Sequence, residues 1–231
     1  MTSLPMAAPR RRGRKVLILI IVLLVIAGLL FGLDRAAAAY TANRIATTLQ
    51  NEGFPVRPHV SVEGFPFLTQ LISKHLEGVV VTAPRYPIGS VTASINVHAR
   101  NITLDSGYRS GTIAQVTGTG LIPFTSLARL PGLAAVPGLQ ISSAGPHQVK
   151  LSANLQLLTA SAIARVTQAA RNEIGLRIVS SSGVPAALLA PIRDLILQIP
   201  ALPLGLTVQS VRVSPRGVVI GVAGSNVKFG Q

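Results

Sequence analysis

The sequence predicts an α+β protein: one membrane-crossing helix, then one domain in which an antiparallel sheet carries helices on its concave side. Three observations lead there. Val16 to Leu33 runs for eighteen residues without a charge, an amide or a proline. Beyond it, segments that alternate apolar and polar residues are interleaved with segments of helical period in no βαβ rhythm, the mark of antiparallel neighbours. Cysteine is absent, so an exported domain must rest on apolar burial, without disulfides or thiolate metal sites.

At about 1.5 Å of rise per residue, the Val16–Leu33 run covers roughly the hydrocarbon core of a bilayer, where a helix satisfies its own backbone polar groups. Arg10, Arg11, Arg12, Arg14 and Lys15 precede it, whereas only Asp34 and Arg35 follow closely. The positive-inside bias then gives a cytoplasmic basic tail (1–15), a signal anchor (16–33), a juxtamembrane helix (34–53) and an exported domain (54–231). The protein is thus expected in the plasma membrane with its C-terminal domain in the cell envelope. A cleaved signal peptide is the alternative, because small residues stand at Ala36 to Ala39; the domain would then be secreted.

Charge narrows the partners. Five of the 21 Lys and Arg lie in the tail, and the other sixteen face all seven acids, which leaves a formal +9 outside. Given that topology, anionic lipid headgroups or acidic glycans suit the charge, and no interleaved basic and aromatic pattern points to nucleic acid. With no Trp, six Phe and three Tyr in a chain that is 48% hydrophobic, the interior is aliphatic. It can form a solid core or line a lipid tunnel.

In chain order, Ala42, Ile45, Ala46 and Leu49 recur at helical spacing, so the membrane helix continues outward to Asn51. Val56 to Val62 alternates as a strand, with Pro58 favouring an edge. In Gly64-Phe65-Pro66-Phe67-Leu68-Thr69-Gln70-Leu71-Ile72, proline suits the first turn of a short helix that presents Phe67, Leu68, Leu71 and Ile72. That helix is either a plug on the sheet or a membrane-dipping element beside Lys74 and His75. Strands follow at Val79 to Ala83, at Ser90 to Leu104 with a phase slip that suggests a bulge near Arg100, and at Gly111 to Leu121. Pro123 to Leu130 reads as a short helix, Pro131 to Gly138 as a breaker-rich connection, and Gln148 to Leu158 as a strand.

Ala160 to Ile174 and Pro185 to Ile199 are expected as helices, the second with Leu188, Leu189, Ile192, Leu195 and Ile196 on its apolar face. The chain ends in a hairpin, Leu206 to Val213 and Val218 to Ala223, joined by a Ser214-Pro215-Arg216-Gly217 turn, and Val227 to Phe229 can add an edge strand.

The anchor, the Val60-Ser61-Val62-Glu63-Gly64-Phe65-Pro66-Phe67-Leu68-Thr69-Gln70 string, Gly78 to Val81, and Leu202-Pro203-Leu204-Gly205-Leu206-Thr207-Val208 leading to Val211-Arg212-Val213 and Gly217-Val218-Val219-Ile220 occur in a telling order. In that order the chain resembles the actinobacterial family of membrane-anchored or secreted phospholipid-binding proteins named after the lipomannan elongation factor. The resemblance implies binding of anionic phospholipid, phosphoinositides among them, in an envelope where lipomannan is made. It also implies a tubular lipid-binding architecture, helices held in a wrapped sheet. No family pattern matches Arg85-Tyr86-Pro87 to Ser90.

Enzyme motifs do not accumulate. His59, His75, His98 and His147 lack metal-ligand spacing, no G-x-S-x-G elbow occurs, and Gly118-Thr119-Gly120 lacks the third glycine of a dinucleotide loop. Ser225-Asn226-Val227-Lys228 fits S-x-x-K without its companion motifs. No catalytic residue, metal or cofactor is assigned. The expected acyl-chain groove is lined by Phe65, Phe67, Leu68, Leu71, Ile72, Leu188, Leu189, Ile192 and Ile196, with Arg57, Lys74, Arg85 and Arg193 as headgroup candidates. The competing function is a membrane-anchored scaffold that steadies an envelope glycosyltransferase, such as a mannosyltransferase, through an exposed apolar patch.

Overall fold

The computed structural model describes residues 12–51, 54–155, 158–170, 173–184, 194–199 and 205–230. Helix α1 (Arg12–Asn51) is 40 residues long, about 60 Å at 1.5 Å per residue, and has two unlike halves. From Val16 to Phe31 its large apolar side chains are exposed all round, a surface that water does not tolerate on a lone helix but a bilayer does. It is long and apolar enough to cross a membrane. From Asp34 onward one stripe is covered: Ala38, Ala42 and Ala46 are buried, with Ile45 and Leu49 packed beside them. These small residues, one per turn, let the helix axis approach the sheet closely.

Sheet A joins β1 (His59–Glu63), β2 (His75–Ile88), β3 (Val91–Leu104), β4 (Gly111–Pro123), β11 (Gly217–Phe229) and β10 (Thr207–Ser214), in that spatial order. Sheet B is a five-stranded meander of β5 (Gln140–Gly145), β6 (Gln148–Leu155), β7 (Leu158–Ala170), β8 (Glu173–Ser182) and β9 (Asp194–Gln198). Both are antiparallel and neither closes into a barrel. Two short helices complete the α+β fold: α2 (Phe67–Ile72), with Pro66 just ahead of its first turn, and α3 (Phe124–Leu127), entered from Pro123.

One face of sheet A is shared between two coverings. Along β3, Val91, Ala93 and Ala99 occupy odd positions of one alternation and so point the same way. Val91 and Ala93 join a core with sheet B, while Ala99 joins a second core with α1 and α2. The phase slip is real but takes another form. Asn101 adopts a left-handed φ of 51°, which re-aims Ile102 into the core without changing the register on either side. The β2–β3 register instead shifts between Ala83 and Tyr86, in the segment that matched no family pattern.

Three expectations need correction. The sheet is divided in two. Ala160 to Ile174 is not a helix but β7 and the start of β8, because Ala160, Ala162, Ala164 and Val166 are buried in alternation, a period of two. Asp194 to Gln198, expected in a helix, is strand β9, with Leu195 and Leu197 turned inward and Ile196 outward. Leu188, Leu189, Ile192 and Arg193 lie outside the described residues.

Candidate functional site

The two ends of sheet A differ in chemistry. At one end the apolar half of α1 leaves the domain. Asp34, 3% exposed, accepts the Leu68 N–H (2.8 Å) and the Arg35 guanidinium (2.6 Å), and Arg35 also donates to Gly64 O (3.0 Å). Burial by itself raises the Asp34 pKa, but the Leu68 N–H, Arg35 and the Phe67 N–H outweigh it and hold the carboxyl below its ordinary value. Gly64 sits at φ 89°, a left-handed conformation that a side chain strains, and a Cβ there would also press on the Gln70 amide, so this position favours glycine. Gln70 in turn accepts the Glu77 N–H at 2.9 Å. A polar clasp therefore ties α2 and the start of β2 to the first turn of α1 beyond its apolar run.

At the other end the two sheets part. An apolar cavity of about 140 Å³ lies between Ile122 of β4 and Val218 of β11 on one side and Val166, Ile174 and Leu176 of β7 and β8 on the other. Leu127, Leu130 and Pro131 close one wall, and Leu195 to Leu197 of β9 another. Its volume approaches the roughly 150 Å³ of an apolar cavity that admits one benzene ring, so as it stands it admits a few methylenes of an acyl chain. The sheets are stitched where Val213 N–H donates to Pro146 O (2.7 Å) and the Gln168 amide to Val208 O (3.2 Å). Among the described residues, the cavity is lined by apolar side chains, which can separate without orphaning backbone hydrogen bonds. Arg129 and Arg216 are exposed and lie within two residues of the lining residues Leu130 and Val218, whereas Arg177, next to inward-facing Leu176 in β8, points to the outer face of sheet B, where it pairs with Asp194 at 2.6 Å.

The expected groove residues divide between these ends. Phe67 is buried (1% exposed) and Leu71 half-buried under α2, while Phe65, Leu68 and Ile72 are exposed there. Ile196, 60% exposed, is on the cavity rim. Among the described residues, the structure places the Phe67–Ile72 face and Ile196 in different regions. Lys74 follows α2, with its ammonium 6.0 Å from the Tyr108 ring. Arg85 and Arg57 are exposed at the opposite end of sheet A, since β1 begins with the His59–Thr82 pair.

The cavity wall from β7 and β8 was hidden by alanine. The alternation of Ala160 to Val166 is a strand signal, but Ile163 on the other side restored an apparent helical spacing. Among the described residues, His98 is the histidine in a side-chain hydrogen bond, and its partner is Glu63 at 2.6 Å.

An open two-sheet domain with an aliphatic cavity has the chemistry to take up an apolar group. The chain belongs to the LmeA-like phospholipid-binding family, which matches it over residues 32–223. Comparison with curated proteins and with solved structures gave no match.

Proposed function

We propose that the protein binds an anionic phospholipid of the phosphatidylinositol type at the outer face of the plasma membrane, without catalysing a reaction. In this reading α1 is a single-pass anchor, and the domain beyond residue 53 lies in the cell envelope. The observation that carries it is the apolar cavity between the sheets, in a member of a phospholipid-binding family. In this reading an acyl chain enters between Leu176 and Ile196 on one side and Leu127 on the other, and the phosphate meets Arg129 and Arg216, exposed next to lining residues Leu130 and Val218. Arg57 and Arg85 add positive charge at the same end, and the formal +9 favours an anionic headgroup. The role in lipomannan elongation, with an envelope mannosyltransferase as partner, rests on the family resemblance.

The test is native mass spectrometry, with lipid extraction, of the full chain purified in detergent from an envelope rich in phosphatidylinositol lipids. A stoichiometric anionic phospholipid is expected. A folded chain without lipid would favour the scaffold, which needs an exposed patch and no cavity.

A further inference from the structure

We infer that the end of the domain around α2 is a bilayer-contact surface, with α2 lying in the interface of the leaflet from which α1 emerges. This rests on the reading of α1 as a membrane span. Three observations point to a lipid surface as the occupant. Phe65 (57% exposed), just ahead of α2, and Ile72 (80% exposed) at its end stand out of the domain with Leu68 between them, an apolar patch within eight residues of chain. The patch is continuous with the apolar half of α1, because the Phe65 ring meets that of Phe31 at a centroid distance of 5.5 Å. The clasp of Asp34 on the Leu68 N–H then fixes α2 level with the first residue after the apolar run.

A surface that touches the last turn of a membrane span cannot stand in bulk water while the span is in lipid. The border has interfacial chemistry as well. The Arg35 guanidinium lies 5.3 Å from the Phe65 ring centroid, and Lys74 faces exposed Tyr108, pairings of cation and aromatic ring that suit the headgroup layer. Phe65, Leu68 and Ile72 reach the acyl boundary, and Arg35, Lys74 and Tyr108 reach the headgroups.

The absence of cysteine allows a direct test. Ile72→Cys, Leu68→Cys, Leu24→Cys and Val179→Cys in the full chain each carry one environment-sensitive fluorophore, in vesicles of phosphatidylcholine and phosphatidylglycerol with nitroxide-bearing acyl chains. Val179 is exposed on β8 at the cavity end and Leu24 is in mid-span. Nitroxide quenching about twofold or more stronger at positions 72 and 68 than at 179 is expected, as for side chains buried about 5–10 Å into the interface. Equal quenching at 72, 68 and 179, with the label at 24 deep in lipid, overturns the surface and leaves the span standing. A label at 24 open to aqueous iodide overturns the span and the surface together.

Discussion

One face of sheet A is covered in two ways, and the coverings behave differently. Over the half near Leu76, Ile102 and Ile113, α1 lies on the strands through Ala38, Ala42 and Ala46, and a helix with so small a contact stripe packs down closely. Over the half near Ile88, Val91 and Ile122, a second twisted sheet faces the first, and between them space remains. The lesson is positional. Strand β3 joins the two halves over its 14 residues, about 45 Å at roughly 3.3 Å per residue. With α1 in a bilayer, a lipid in the cavity has left that bilayer altogether.

The sharpest way to break this contrast is to damage one half and read the other. Phe67→Ala empties the largest fully buried side chain of the helix-covered half and is expected to cost about 3–5 kcal/mol, measured by denaturation of the full chain in detergent. Ala42→Leu, which pushes α1 off the sheet, is expected to cost about 1–3 kcal/mol in the same measurement. Leu197→Trp at the cavity wall should leave the melting midpoint almost unchanged and lower bound lipid about tenfold, since one indole fills most of the space. Wild-type lipid occupancy in that variant would move the site away from the cavity.

Charged groups sharpen the comparison. Arg129→Gln with Arg216→Gln should reduce the preference for anionic over zwitterionic vesicles roughly thirtyfold, at about 1 kcal/mol per arginine, and leave total lipid bound to the full chain little changed. The Asp34 clasp responds to acid. Its folded pKa lies below the ordinary 3.8, so its contribution is complete above that value and is lost as pH falls through the lower folded value. Protease sensitivity of the Gly64–Ile72 segment should therefore rise only in acid below 3.8, and Asp34→Asn should abolish that dependence.

Much of the helix-covered half was legible in the sequence. The uncharged run, the Ala42, Ile45, Ala46 and Leu49 stripe and the short helix after Pro66 each leave a local signal, and the structure contains all of them. The cavity half was not legible, because its signals are small or non-local. Alanine satisfies a helical and a strand period alike, so Ala160 to Val166 fits both until sheet pairing decides. Leu195-Ile196-Leu197 has no period at all. The clasp was hidden for another reason: Asp34 and Leu68 are 34 residues apart, and Asp34 by itself marks only the end of the apolar run. The cavity lining draws on β4, β7, β8, β9 and β11, which only the fold brings together.

The pairing of β11 with β4 bears on how such a chain is made. Phe229 lies opposite Gly111 and Gly217 opposite Pro123, so the middle of sheet A is completed by a strand synthesised after all of sheet B. Until then β4 presents an open edge, the kind of edge that recruits strands from other chains. Pairings so distant in sequence also form slowly. Sheet A thus stays half-built until the thirteen residues of β11 dock, and truncation within β11 is expected to impair assembly of its middle.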